Sequence, residues 1–532
     1  MNLLKYVLGI LIFTLVGCSD FLEEEPLTDV SIDYLYTTPA GLEAGVVGLY
    51  NFNREVFHIY PNESSKPLWT YVQNDLVIPA AGYISIIGQF AKSAMDPSQY
   101  GGLFLKLLWT DYYRIIDRAN ALIQAAEKIE GMDEDKRQQV IAQSKFFRAH
   151  SLFTLYRLFN NVYVKTAPTT PENVFDKVDK PSTKEEIFNA INEDLDDAIE
   201  YLPWTDTPGR VTQALARHIK AKAALWTEDW QVAADEAEAV INSGYYHLET
   251  DLTAIFGHPT NETPGFTRNG PEALFTIQNE EGSAGAGPPN FIGVNFVPRY
   301  DKIPGMKFDR QFGGRGFGFI FPNQYLMGLY ESFDKRLDAY YVRKYYYNDP
   351  ENIPDSVLTD NGWVFPQEGD EVKIVTGGTN TSAYYRYLSP TVTKHLDYTL
   401  DPNAAVSRGN ILVYRLAETY LIAAEAYMRM GDQSKALEMI NPLRERAGTI
   451  PFFDLDEVKL MKEHARELAF EGQRFYFLKR IGKLVSQVQR FSGNDDYKND
   501  ARANIRAYHV NMPIPTSVLE LLGPNYPQNE GY

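Results

Sequence analysis

Several loop-forming stretches of this 532-residue chain set a large aromatic beside a carboxylate, carboxamide or guanidinium. They are Trp69, Asp75 and Tyr83; Gln99 and Tyr100; Arg299, Tyr300 and Asp301 in "PRYDK"; and Trp363 in a Gly-flanked loop. A flat aromatic face suits the C–H side of a sugar-like ring, and Asp, Gln and Arg suit its hydroxyl rim. That is the chemistry of adsorption. Hydrolysis of a glycoside would need two facing carboxylates, whereas Asp196 and Asp197 are neighbours on the outward side of a predicted helix. There is no Gly-x-Ser-x-Gly, phosphate loop or calcium loop. His464, Glu467 and Glu471 fall at i, i+3 and i+7, which could suggest a metal site. However, "HARELAFEGQR" alternates both charge signs, so the expectation is a salt-bridged surface with partial burial. Glu425, Arg444, Arg446, Glu471 and Arg474 are expected to pair between helices. No catalytic residue, metal or cofactor is expected.

The elements that must position these residues are mostly helices. Leu105, Leu108, Tyr112, Ile115, Ala119, Leu122 and Ala126 repeat at helical spacing, and a second helix follows over "DKRQQVIAQSKFFRAHSLFTLYRLF". Ser182 and Glu185 predict a capping box. "VTQALARHIKAKAALWTE" with "DWQVAADEAEAVINSG" and "LVYRLAETYLIAAEAYMRMG" with "DQSKALEMINPLRERAG" share one pattern. An Ala-rich helix turns at Asp229 or Asp432, and a small residue follows at Ala233 or Ala436, the logic of tetratricopeptide-like pairs. Wide separation in sequence argues against a continuous solenoid. Trp109, Trp226 and Trp230 lie on helical stripes and read as core, and Trp204 as a packing plug.

Between about 279 and 410 the helical period collapses. Nine glycines fall from Gly282 to Gly318, too many breakers for a regular element. Phe291, Phe296, Tyr300, Phe308, Phe312 and Phe317 are interleaved there and argue for a structured loop domain over disorder. A second irregular insertion spans about 53–100. The predicted organisation is a leader over 1–17, a helical region over 18–278, and a region over 279–532 that carries the loop-rich insertion.

Composition narrows the function classes. A net charge of −19 disfavours nucleic acid, and 44% hydrophobic residues support a large core. Residues 6–16 form an apolar run too short to span a bilayer, which takes about 20 residues, but sized for a signal peptide. "LVGC" resembles the lipobox of bacterial lipoproteins, which makes Cys18, the only cysteine, the expected acylation site. Palmitate-type chains there would be the membrane link.

The whole chain resembles the SusD/RagB family of outer-membrane lipoproteins. The resemblance rests on the lipobox followed by "SDFLEEEP", on "FFRAHSLFTLYRLF", "GRVTQALARHIKAKAALWTEDWQVAADEAEAVINSGYY", "VYRLAETYLIAAEAYMRMGDQSKALEMINPLRERAG", "RELAFEGQRFYFLKRIGK" and "MPIPTSVLELLGPNYPQNEGY". It implies four tetratricopeptide-like helix pairs carrying an irregular binding region, on a lipid-anchored protein at the outer membrane facing the cell exterior. It implies capture of oligosaccharides and delivery to a SusC-like TonB-dependent transporter, with peptide or glycopeptide as the alternative cargo; a surface hydrolase has no motif in its favour. The early insertion matches where relatives build part of their pocket. "FNNVYV" departs from the usual Phe-Gly-x-Val-Pro; Asn160 can take the glycine's place because Asn tolerates positive φ.

Overall fold

A computed structural model describes residues 36–57, 68–79, 88–92, 95–98, 100–258, 268–279 and 290–532. The amino-terminal part is α1 (Pro39–Phe57), α2 (Leu68–Val72), the short strand β1 (Val77–Pro79), then α3 (Tyr100–Lys128), α4 (Glu134–Phe159), α5 (Lys184–Tyr201), α6 (Gln213–Thr227) and α7 (Trp230–Ile241). Strand β2 (Ala273–Ile277) leads into the loop-rich crown. Within it lie β3 (Ile320–Pro322), α8 (Gln324–Met327), α9 (Arg336–Ala339), β4 (Tyr341–Val342), β5 (Val357–Thr359), β6 (Gly362–Val364), α10 (Thr381–Leu388) and β7 (Thr391–Val392). Strand β8 (Ile411–Arg415) closes it and runs straight into α11 (Leu416–Met430), followed by α12 (Gln433–Arg446), α13 (Glu457–Leu468), α14 (Arg474–Arg480) and α15 (Leu484–Phe491). The fold is mostly α, as expected, with tetratricopeptide-like helix pairs as its scaffold.

Side-chain caps explain where these helices begin. Asp229 accepts from Val232 N and Asp432 from Lys435 N, so the two matching turns are built alike. Ala233 and Ala436 are fully buried, letting the paired helices approach. The capping box lies one residue beyond the predicted one: Glu186 N donates to Thr183 Oγ1 at 3.2 Å and Thr183 N to Glu186 Oε2 at 2.7 Å. Ser182 is taken by a different task, since its N donates to Val162 O and its Oγ accepts from Val164 N. Thr183→Ala should cost about 1 kcal/mol, read as a lowered urea midpoint. Asn160 ends α4 at φ 61°, the conformation its residue type anticipates.

The helices pack in the order α3, α4, α5, α6, α7, α11, α12. The expectation of an interrupted array is therefore corrected: α7 and α11 are neighbours in space, although the crown separates them in sequence. Antiparallel pairing of β2 with β8 (Ala273↔Arg415, Ile277↔Ile411) explains how. The chain leaves the helical layer and returns to it at the same place. Strand β1 pairs with β3 (Val77↔Pro322, Pro79↔Ile320) and joins the two irregular segments. The crown also has a small apolar core of its own, from Val297, Tyr300, Ile303, Met306, Phe312, Tyr345, Tyr347, Val372, Leu388 and Leu396.

Beneath the crown lies a buried ionic network. Arg336 reaches Asp334, Glu463 and Glu467; Arg415 reaches Glu272, Glu467 and Glu471; Arg446 reaches Glu272 and Glu467. Arg444 and Arg466 add to Glu463, and Lys394 to Glu471. Six cations face five carboxylates, and Glu331 at the rim, 3.5 Å from Arg444, evens the balance. The expected salt-bridged surface is thus an interior: Glu463, Glu467 and Arg336 have no exposed side-chain area. His464 takes no part in these ion pairs and stacks on Phe477 with centroids 4.0 Å apart.

Candidate ligand-binding crown

The crown's rim is organised by α10, whose sequence "TSAYYRYL" turns Tyr385 and Leu388 inward and leaves Tyr384, Arg386 and Tyr387 half-buried. Its seat is the turn of "PRYDK": Arg299 N donates to Arg386 O at 2.9 Å. Gly318, at φ 68°, lies against both arginines, where a Cβ would come within 3.2 Å of Arg386 O.

Three segments far apart in sequence bring rings together on this rim. Tyr385 stacks on Tyr497 with centroids 4.9 Å apart and 13° between planes, and Tyr384 meets Tyr385 edge-on at 5.2 Å. Tyr325 stacks on Phe491 at 3.8 Å. Polar bonds fix the arrangement. Tyr385 OH donates to Asp496 Oδ1 at 3.0 Å and accepts from Gln324 Nε2 at 3.3 Å. Gln324 N donates to Asn494 Oδ1 at 2.8 Å, and Tyr497 OH lies 3.2 Å from Ser382 Oγ. Burial, then Asp360 and Asp496, push the Tyr384 phenol up; burial first pushes Tyr385 up to about 12. Both phenols therefore stay protonated near neutral pH; the Tyr385 proton is taken by Asp496, while Tyr384 can donate to a hydroxyl.

Asp360 belongs to the turn of the β5–β6 hairpin, where its carboxylate accepts from Thr376 N and Oγ1. Thr376 lies on the segment that leads into α10, so this bond ties the hairpin turn to that segment. Leu358 pairs with Trp363 across the hairpin, and Phe365 follows just past the end of β6. These three are 46%, 65% and 76% exposed, an apolar face open to a ligand. A pocket of about 410 Å³ opens elsewhere, between Phe90, Lys92 and Met95 of the early insertion and Arg506, Tyr508 and Tyr532.

Of the predicted residues, Trp363 is exposed and Arg299 is one-third exposed at the seat of α10. Asp301 is largely buried and bonded to Lys302 at 3.0 Å. Two expectations are corrected. Tyr300 is fully buried in the crown's core, its OH donating to Gly314 O at 2.7 Å and accepting from Asp309 N at 3.0 Å. Asp75 is fully buried and accepts from Arg474 Nε and Nη2, both at 2.8 Å. Neither can touch a ligand; each holds a segment that could. Trp69 and Tyr100 are described only as backbone positions, in α2 and α3, and Cys18, Tyr83 and Gln99 lie outside the described residues. Tyr384, Tyr385 and Tyr497 were not anticipated, although the run "AYYRY" carried an aromatic density that could have drawn attention to it.

Among the described residues no group of three or more His, Cys, Asp or Glu is arranged to hold a metal, and no helix is long and apolar enough to cross a membrane. Glu467 and Glu471 face arginines and a lysine, not a cation site. Asp196 and Asp197 pair with Lys220 and Lys145 on neighbouring helices.

Comparison with known proteins decides the family. The SusD family model matches residues 271–532, and the model described as "Starch-binding associating with outer membrane" matches residues 91–226. The chain belongs to the SusD family. SusD-like protein P2 of Formosa agariphila is 28% identical over 556 residues, covering 99% of each chain. The starch-binding protein SusD of Bacteroides thetaiotaomicron is 36% identical over 126 residues, 23% of this chain and 22% of that one. Among solved structures, a laminarin-binding SusD-like protein superposes with TM-score 0.69 at 22% identity, covering 92% of this chain and 99% of its own. Surface glycan-binding protein A from Bacteroides thetaiotaomicron superposes with TM-score 0.70 at 18% identity, covering 93% and 100%. At those identities the likeness is one of SusD fold: a helical scaffold carrying an irregular crown.

Proposed function

We propose that this SusD-family protein captures oligosaccharides at the outer membrane and delivers them to a SusC-like TonB-dependent transporter without breaking a bond. The observation that carries the reading is the rim where Tyr384, Tyr385 and Tyr497 meet beside the exposed Trp363 hairpin. Ring faces would take up the C–H side of a sugar, while the Tyr384 phenol and the remaining polar atoms of Gln324 and Asp496 would serve its hydroxyls. Relatives named for starch, laminarin and surface glycans support the ligand class. Acylation at Cys18 would tether the receptor on the exterior face, and Cys18→Ala should release it into the soluble fraction.

Calorimetric titration against a panel of soluble polysaccharides and their oligosaccharides tests the binding. Trp363→Ala and Tyr497→Ala should each weaken affinity about tenfold, the loss of about 1.4 kcal/mol expected of a central aromatic contact. Tyr508→Ala, in the separate pocket, should leave it unchanged. Absence of saccharide binding, or wild-type affinity in both rim variants, overturns the proposal. Cleavage products in the same incubation would overturn the non-enzymatic part.

A further inference from the structure

Arg157, on α4, is a buried cation with no carboxylate partner among the described residues. It is 2% exposed, and its guanidinium lies between the rings of Phe153 and Tyr476, 4.3 and 4.2 Å from their centroids. Nη2 donates to Thr154 Oγ1 at 3.0 Å, but Nε and Nη1 are buried with no hydrogen-bond partner among the described residues. A guanidinium withdrawn from water ordinarily has an anion and full hydrogen bonding.

The neighbouring charges deepen the imbalance. Lys479 Nζ donates to the carbonyl of Arg157 itself at 2.7 Å. Lys222 is close by, and the three carboxylates that line the neighbouring space, Glu418, Glu425 and Glu471, are engaged elsewhere, Glu471 with Arg415 and Lys394. Glu418 accepts from Lys222 at 2.5 Å and lies 3.1 Å from His218 Nε2, while Glu425 accepts from both terminal nitrogens of Arg480 at 2.7 and 2.6 Å. Burial, with Arg157 next, brings Lys479 down to about 7; burial, then Arg157 and Lys222, bring His150 down to about 3. The phenols of Tyr112, Tyr414 and Tyr476, which also face Arg157, are raised by burial, with Arg157 acting against that rise.

Arg157 lines two cavities. One, of about 40 Å³, is lined by Arg157, Lys222, His464, Gln473 and Tyr476 among others. The other, of about 60 Å³, is lined by Arg157, Tyr112, His150, Thr154 and Tyr414 among others. Each exceeds the roughly 10–15 Å³ that one water requires.

We propose that the space beside Arg157 Nε and Nη1 is a binding site for a small monovalent anion of chloride size. The ion would compensate the guanidinium and fasten α4 of the amino-terminal helices to α14 near the other end of the chain. This site is separate from the rim and independent of any saccharide.

Crystals of the wild-type protein grown with bromide as the only halide test it directly. The expected result is an anomalous peak within hydrogen-bonding distance of Arg157 Nε or Nη1; water density there with no anomalous signal overturns the proposal. In solution, the wild-type melting temperature should rise by about 1–3 °C between gluconate and chloride buffers of equal ionic strength, as mass action on a site present only in the folded state requires. Arg157→Gln should abolish that difference, and equal melting of the wild type in the two buffers overturns the site. Should Arg157→Gln fail to fold, the two wild-type measurements decide by themselves.

Discussion

Replacing Glu467 with glutamine should destabilise the protein by about 3–5 kcal/mol, the range for breaking a buried ion pair from one side. Glu467 Oε1 accepts from Arg415 Nη1 at 2.7 Å and Arg446 Nη2 at 2.5 Å, and Oε2 from Arg336 Nη1 at 3.0 Å. The substitution keeps the shape and removes the charge, leaving three interior guanidiniums competing for the remaining carboxylates. The pH dependence follows from the same geometry. Burial alone would raise the Glu467 carboxyl, but Arg446, Arg415 and Arg336 outweigh it and hold the group well below its ordinary value of 4.5. Glu463, where burial is opposed by Arg336, Arg466 and Arg444, is brought down to about 2. Depressed carboxyls contribute stability that is complete above the unfolded value and is lost as pH falls toward the folded one. The wild-type urea midpoint should therefore hold steady above about pH 5 and fall steeply from 4.5 toward 2. Glu467→Gln should start lower and fall less. Equal slopes would mean that the network does not govern acid stability.

The second large effect is expected at Asp75. Asp75→Ala strands the Arg474 guanidinium, 3% exposed in side-chain terms, without its only ion-pair partner among the described residues. The cost should again be about 3–5 kcal/mol. Exchanging both partners, Asp75→Leu with Arg474→Met, should cost much less, because no charge is left buried. The location makes the test richer than a stability measurement. Asp75 O accepts from Asn323 Nδ2 at 2.8 Å, two residues before β1, so Asp75→Ala should also speed amide hydrogen exchange across the β1–β3 pair. A variant that is as stable as the wild type would remove Asp75 from this role.

The helical scaffold was legible because its periodicity and caps are local properties. The Asp229 and Asp432 turns announce themselves within five residues, and tertiary context only had to choose between Ser182 and Thr183. The ionic network was misplaced because alternating charge signs describe a solvated face and an interior lattice equally well. Only the partners Glu272, Arg336 and Arg415, remote in sequence, distinguish the two. Asp75 and Tyr300 had the right composition for a ligand site, but side-chain type carries no information about direction, and both point inward. The rim escaped notice because Tyr385 finds Tyr497 across more than a hundred intervening residues.

The crown's private apolar nucleus around Tyr300 and Tyr345 has a consequence for how such a molecule diversifies. Since those inward rings hold the shape, outward residues such as Trp363 and Phe365 can be exchanged at little cost to the fold. A lineage can thus retool its grip by editing the tip while the handle stays as it is.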